Sequence, residues 1–220
     1  MGSPAPTTPV PLSSRPDPLE ARVVRRDDIL ELLRRLPTVC VAGSAADGTP
    51  LLGTVHHAIV GDWLVFHGAP RGWRAALVDR PVVVEASEPV AVLPSTLVDP
   101  ERACHASTWY RQARVRGQLT RVEEPEFVAA TLERLMRKLQ PDEAWRPITA
   151  TEPMYRRALE RTGVFRVALD RLEGKEKLGQ GKSEATIQRV VEWLRTRGNP
   201  GDMEAVDQIL GARSGTEQGG

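Results

Sequence analysis

The stretch from Thr38 to His67 leaves this chain little conformational freedom. Thr38–Ser44 is short, apolar and rich in β-branched residues, and Ala46-Asp47-Gly48 reads as a turn. Leu51–Val60 is a second apolar run, and Gly61-Asp62 is a two-residue reversal into Trp63–His67. Turns this short join only antiparallel neighbours, because a parallel crossover consumes about a dozen residues or more. The three segments are therefore expected to form a meander. Strand alternation puts Leu51, Gly53, Val55, His57 and Ile59 on one face of the middle strand. Leu52, Thr54, His56, Ala58 and Val60 take the other. Either one of His56 and His57 packs inside with its ring hydrogen-bonded while the other meets a groove or solvent, or one of them lines a cofactor pocket beside Thr54. Alternation does not say which.

The periodicity changes on either side of the meander. Asp27 caps a helix reaching Leu36, with Ile29, Leu32, Leu33 and Leu36 at helical spacing and Pro37 ending it. Arg71–Val78 reads as a short helix, with Pro81 marking its exit. Strands are expected at Val82–Ser87, with Ala91–Leu93 as a continuation, at Trp109–Val122, with a bend at Gly117, and at Val164–Leu172. Helices are expected at Glu124–Leu139, around Arg157, at Ser183–Arg197 and at Asp202–Leu210. About six strands joined mostly by short turns, with helices around them, predict an α+β fold built on a small antiparallel barrel. Residues 1–20 read as a disordered proline-rich arm, 21–210 as one globular domain and 211–220 as a disordered tail.

Composition narrows the function. The net charge is +1, so no overall field draws the chain to nucleic acid or an anionic membrane. Cys40 and Cys104 are far apart and form no CxxC, which argues against a zinc site or a disulfide framework. No apolar run is long enough to span a bilayer, and the N-terminus lacks a secretory signal's apolar segment. The expected setting is cytoplasmic, with a small-molecule substrate.

The segment most suggestive of chemistry is "LVFHGAPRGWRAALVDRPVVVE". His67 ends a strand, Gly68 permits close backbone approach, and Arg71 and Arg74 follow at what reads as a helix start. Backbone N–H groups at a helix N-terminus with two arginines beside them suit a phosphate monoester. The competing reading is a solvated basic helix face with an incidental histidine. Cys104-His105 lies in an apparent loop and matches no thiol-nucleophile signature.

This segment resembles the strand–His–Gly–helix portion of the FMN-binding split-barrel superfamily, the pyridoxamine 5′-phosphate oxidase-like proteins. "WYRQARVRGQL" is similar to a later strand of that family. "RTGVFRVALDRLEGKEKLGQGK" resembles the strand and Gly-Lys segment of its nitroimidazole-resistance and PaiB-like branch. The resemblance spans about residues 22–195. It implies a six-stranded antiparallel split β-barrel with peripheral helices, forming a homodimer with FMN at the subunit interface. Arg71 and Arg74 would grip the flavin phosphate, Thr54 and Trp109 would border the ring, and Lys175 and Gln180 would close over the site. His67, with Gly68 behind it, would hydrogen-bond to cofactor or substrate. Val55 stands where a proline often follows the strand threonine. The implied activity is a flavin-dependent oxidoreductase acting on a small organic acceptor. The alternative is haem b with His67 as axial iron ligand, as in split barrels that form N–N bonds in biosynthesis. A non-catalytic flavin- or haem-binding regulator is a third possibility.

Overall fold

The computed structural model describes residues 22–214; the arm over 1–20 and the last six residues of the tail lie outside them. The strands are β1 (Arg22–Val23), β2 (Thr38–Ser44), β3 (Pro50–Val60), β4 (Trp63–Gly68), β5 (Pro81–Leu93), β6 (Ser107–Gln118), β7 (Thr120–Val122), β8 (Gly163–Ala168) and β9 (Leu172–Lys177). The helices are α1 (Arg26–Arg35), α2 (Pro125–Leu139), α3 (Arg156–Arg161), α4 (Glu184–Arg197) and α5 (Asp202–Ser214). All strand pairings are antiparallel, in the order β1-β9-β6-β5-β2-β3-β4-β8-β7.

The sheet curls into a barrel because one run of chain belongs to both ends of it. β6 pairs with β5, and three residues of the same run, β7, pair with β8. Between them Leu119 is fully buried, with its N–H donating to Arg80 O and its carbonyl accepting from Asp79 N. Counting β6–β7 as one position, six strand positions go round the ring, and β9 and β1 extend it at one edge. β6 and β8 themselves are not paired strands, although Gly117 lies against Val167. A cleft of about 1070 Å³ opens there, with Trp63, Arg116, Gly117, Thr120, Ala168 and Arg171 among its lining residues.

The ring is filled by Val39, Val41, Val55, Leu64, Phe66, Val84, Val115, Phe165 and Val167, with Phe66 and Phe165 stacked at 5.8 Å. α1 adds Ile29, Leu32 and Leu33 to this core. α2 lies across the outside of the barrel, where Leu135 covers Ala58 and Val65 and Val128 covers Val122 and Val164. α4 and α5 form a pair over Ala91, Leu93, Trp109 and Leu178. Ser183 caps α4 by accepting from Thr186 N, and Gly198 ends it in the left-handed region.

The expected α+β antiparallel barrel is present, with three corrections. The described residues hold nine strands rather than six. The single strand expected over Val164–Leu172 is two, β8 and β9, folded back at a turn through Asp170 and Arg171. After Leu172 the sequence of β9, EGKEK, holds no apolar side chain and lacks the apolar alternation by which strands are recognised. The helix expected over Arg71–Val78 shrinks to one 3₁₀ turn, Ala75–Leu77. Gly72 at φ +133° and Asp79 at φ +61° are incompatible with a continuous helix on either side of it.

Candidate functional site

The tight turn at Gly61-Asp62 fixes which histidines meet. β3 and β4 pair Val60 with Trp63 and, at the far end, His57 with Phe66. One step further, the same register sets His56 opposite His67 on the outer face of the barrel. His56 is exposed, and its Nδ1 lies 3.3 Å from Pro37 O. His67 is partly buried, and its Nδ1 is shielded from solvent with no hydrogen-bond partner.

Trp73 and Arg74 pack over two glycines at the end of β4. Trp73 lies against Gly53, where a Cβ would come 2.4 Å from the indole Cζ2. The Arg74 guanidinium sits 4.7 Å from the centre of that indole. It then passes over Gly68, where a Cβ would be 2.8 Å from Nη1 and 2.9 Å from Cδ. Gly53 and Gly68 thus make room for a stacked Trp73–Arg74 pair at the end of the barrel, on the face of β3 and β4 opposite to that of His56 and His67. The Arg74 Nε is buried and has no partner. Burial holds His67 below the ordinary histidine pKa, and the positive charge of Arg74 and the neighbouring His56 add to that shift. The imidazole is therefore neutral near pH 7. Burial also lowers Arg74, which as a guanidinium stays cationic.

Two residues from His56 on the same face, Thr54 is exposed, and its Oγ1 lies 3.6 Å from the Cys40 thiol. Arg71 is exposed. Because the helix expected after Gly68 is absent, side chains rather than helix amides present the positive charge here.

His57 answers the question that alternation left open. Its side chain is fully buried, with Nε2 2.7 Å from Leu33 O. A nitrogen that close to a carbonyl carries the proton, so Nε2 donates and Nδ1 is left without a partner. Lys138 Nζ donates to the same carbonyl at 3.0 Å and lies 3.3 Å from the ring nitrogen. Burial, and then the Lys138 charge, lower the His57 pKa to about 4. Lys138 is itself lowered to about 8, chiefly by burial. This group anchors the end of α1 and faces away from the site.

Three of the residues implied by the family resemblance lie elsewhere within the chain. Trp109 is buried under α4, with the Cβ position of Gly179 2.3 Å from its ring. Across the sheet Thr54 pairs with Cys40, Cys40 with Glu85 and Glu85 with Arg114, and Trp109 lies five residues further along β6. Strand spacing puts Trp109 and Thr54 roughly 20 Å apart. Gln180 is used up in its own turn, accepting from Leu178 N at 2.9 Å and donating to Glu176 O at 3.3 Å. Lys175 lies 5.8 Å from the Tyr110 ring, on the same side as Trp109. Among the described residues the structure brings Gly68 and Trp73 to Arg74, and puts Thr54 on the strand face that carries His56 and His67. Counting outward from the Gly61-Asp62 turn would have found His56. Nothing in the sequence marks Trp73, whose place depends on a gap left by Gly53 on another strand.

A family model described as pyridoxamine 5′-phosphate oxidase matches residues 25–176. The chain belongs to that family. No curated protein matches the sequence. Among solved structures, the flavocytochrome Anf3 from Azotobacter vinelandii is similar at 19% identity and a TM-score of 0.59, over 71% of this chain and 69% of that one. An FAD- and haem-binding protein from Mycobacterium smegmatis is similar at 23% identity and a TM-score of 0.55, over 71% and 73% of the two chains. A putative 5-nitroimidazole antibiotic resistance protein from Bacteroides thetaiotaomicron follows at 18% identity and a TM-score of 0.54, over 71% and 87%. At these identities the likeness is one of fold, and it agrees with the pyridoxamine 5′-phosphate oxidase family's barrel. No helix among the described residues is long and apolar enough to cross a membrane.

Replacing Gly53 by Ala tests the support of this site. The new methyl would displace the half-buried Trp73 ring, with a loss of about 1–2 kcal/mol as the ring swings out. Urea unfolding of the Gly53→Ala variant measures it. Unchanged stability would show that Trp73 does not depend on the glycine.

Proposed function

We propose that the protein binds FMN on the outer face of β3 and β4 and acts as an oxidoreductase on a small organic acceptor. The observation that carries this reading is that His67 Nδ1 and Arg74 Nε are both buried without a hydrogen-bond partner among the described residues, and that the Arg74 charge reaches the His67 imidazole. Buried polar atoms are nearly always hydrogen-bonded, so two such orphans fit a site built around a polar ligand. Arg74 and Arg71 would hold the phosphate, Thr54 would lie under the ring, and Gly68 leaves space for the Arg74 stem. The flavin supplies hydride and electron transfer when bound. The neutral His67 offers a hydrogen bond to cofactor or substrate without adding charge, and Arg74 favours negative charge at the site. Trp109 and Gln180 keep the packing and turn-closing roles that their contacts describe.

The face is open in one chain. Leu52, two residues from Thr54 on the same side of β3, is 72% exposed. A second copy covering this face would bury Leu52 and enclose the cofactor at the interface of a homodimer.

One observation favours haem b as a second reading. His67 is held neutral, and neutral imidazole is the form that ligates iron. Absorption of the purified protein separates the two, with flavin bands at about 370 and about 450 nm and a haem Soret band at about 400 nm. In the FMN case His67→Ala should keep the flavin bands and lower turnover, because one neutral hydrogen bond is worth about 0.5–1.5 kcal/mol. In the haem case the same change should remove or shift the Soret band. His57→Ala, on the other face, should leave either spectrum as it is. A spectrum with neither chromophore after reconstitution would end both readings.

A further inference from the structure

A small cavity lies on the flank of the barrel, where the last turns of α1 and α2 meet β3. Its volume is about 240 Å³, and it is lined by Arg34, Ala58, Ile59, Arg134, Arg137 and Lys138. No carboxylate lines it. Helical spacing brings Arg134, Arg137 and Lys138 to one side of α2, and Arg34 comes from the last turn of α1. The Arg137 Nε donates to Glu133 at 2.8 Å, and Glu133 also accepts from Trp145 Nε1 and Ile148 N in the segment after α2. The other three cations have no such match. Among the described residues, Arg34 and Arg134 form no ion pair. Lys138 is half-buried, and its Nζ donates to a carbonyl, Leu33 O, at 3.0 Å. The charge of Arg134 acts on it as well.

We propose that this cavity is a binding site for a small tetrahedral dianion, a phosphate or sulfate group. A charge drawn out of water normally has a counter-ion beside it. The C-terminal ends of α1 and α2 supply about half a negative charge each, so Arg34, Arg134 and Lys138 keep an excess of about two positive charges. A dianion balances that excess, whereas a single carboxylate leaves half of it. The forked N–H groups of the arginines match the oxygens of phosphate or sulfate, and the lysine adds a point charge. The volume is below the range of about 300–1,000 Å³ that suits drug-sized ligands, so the ligand is small. Ala58 and Ile59 give the cavity an apolar floor that strengthens the field of the cations above it. The site does not rest on the flavin reading.

Calorimetric titration of the full-length protein with sodium sulfate, at neutral pH and constant ionic strength, tests this. Saturable binding is expected, with sodium chloride showing none. Arg34→Gln and Arg134→Gln should each weaken sulfate about tenfold or more. Both side chains are exposed, so neither variant threatens the fold. Arg195→Gln, at an exposed position on α4, and Arg74→Ala should bind sulfate as the unmodified protein does. A lysine NMR titration supplies a local readout. The charged and titratable neighbours of the Lys138 ammonium are Arg134 and Arg137 on α2, Arg34 on α1 and His57 on β3. Its midpoint, about 8 without ligand, should rise when sulfate is bound. Inorganic phosphate and glycerol 3-phosphate then separate two sources of the same group. A tighter ester assigns the end group of a small metabolite, and an ester no tighter than the ion assigns the free ion. Absence of saturable binding, unchanged affinity in both cavity variants, or an unmoved Lys138 midpoint would each overturn the proposal. Loss of binding in Arg195→Gln would reduce it to diffuse surface charge, and loss in Arg74→Ala would move the anion to the flavin site; either result overturns it.

Discussion

Acidification from pH 6.5 to pH 4 should remove about 3 kcal/mol of stability through His57 alone. The folded-state pKa is about 4 and the unfolded value is the ordinary 6.5. Between these limits the unfolded chain binds a proton that the folded chain refuses. Stability is therefore undiminished above 6.5, falls as the pH drops through the window, and levels off below 4. The cause is geometric. A proton added to Nδ1 would put a cation in an apolar interior 3.3 Å from the charge-bearing Lys138. Urea unfolding between pH 7 and pH 5, before most carboxylates titrate, should show a slope approaching 1.4 kcal/mol per pH unit, about the value for one proton. His57→Leu should lower that slope whatever its own stability, the remainder coming from His67, which burial also holds below the ordinary value. A level profile in the unmodified protein would show that His57 takes up its proton inside the fold.

Arg74→Ala should weaken FMN by about 1.5–3 kcal/mol, the worth of a charge-assisted hydrogen bond. Riboflavin, which lacks the phosphate, should bind both proteins nearly equally. The contrast between the two ligands matters because Arg74 also stacks on Trp73, and a collapse of that stack would weaken both. Equal losses for FMN and riboflavin would make Arg74 a structural support and move the phosphate elsewhere. Fluorescence quenching of either flavin on titration with apoprotein gives the two affinities.

The meander was the most legible part of the chain. Thr38–Ser44 is a strand at the expected residues, and β3 and β4 each differ by one residue at an end. Alternation correctly separated His56 from His57, because a side-chain period of two is a property of any strand. Which of the two was buried depended on where α1 packs, and that is a long-range fact. The Arg71–Val78 segment has helical spacing in Trp73, Leu77 and Val78, but the glycine at position 72 and the need to present Leu77 to the barrel core broke it. Trp109 next to Tyr110 looks like a stacking platform in sequence. In the fold, α4 covers one of them completely and leaves the other beside Lys175. The contacts of Arg74 were least legible of all, since they pass through absent side chains at positions 53 and 68.

The way the barrel closes has a mechanical consequence. Elsewhere round the ring, neighbouring strands are held by ladders of four to twelve paired residues. Between the β6–β7 run and β8 the seal is the three pairs of β7, with Arg116 N donating to Arg171 O in the turn after β8. A structure loaded in series yields at its weakest joint, so local opening should start at this seam while the β5–β6 ladder stays intact. Hydrogen exchange should find the β7 amides unprotected well before those of β5. Breathing of that kind would widen the cleft beside Trp63 and would reach His67 as well, because His67 pairs with Val164 of β8 and Val164 pairs with Val122 of β7.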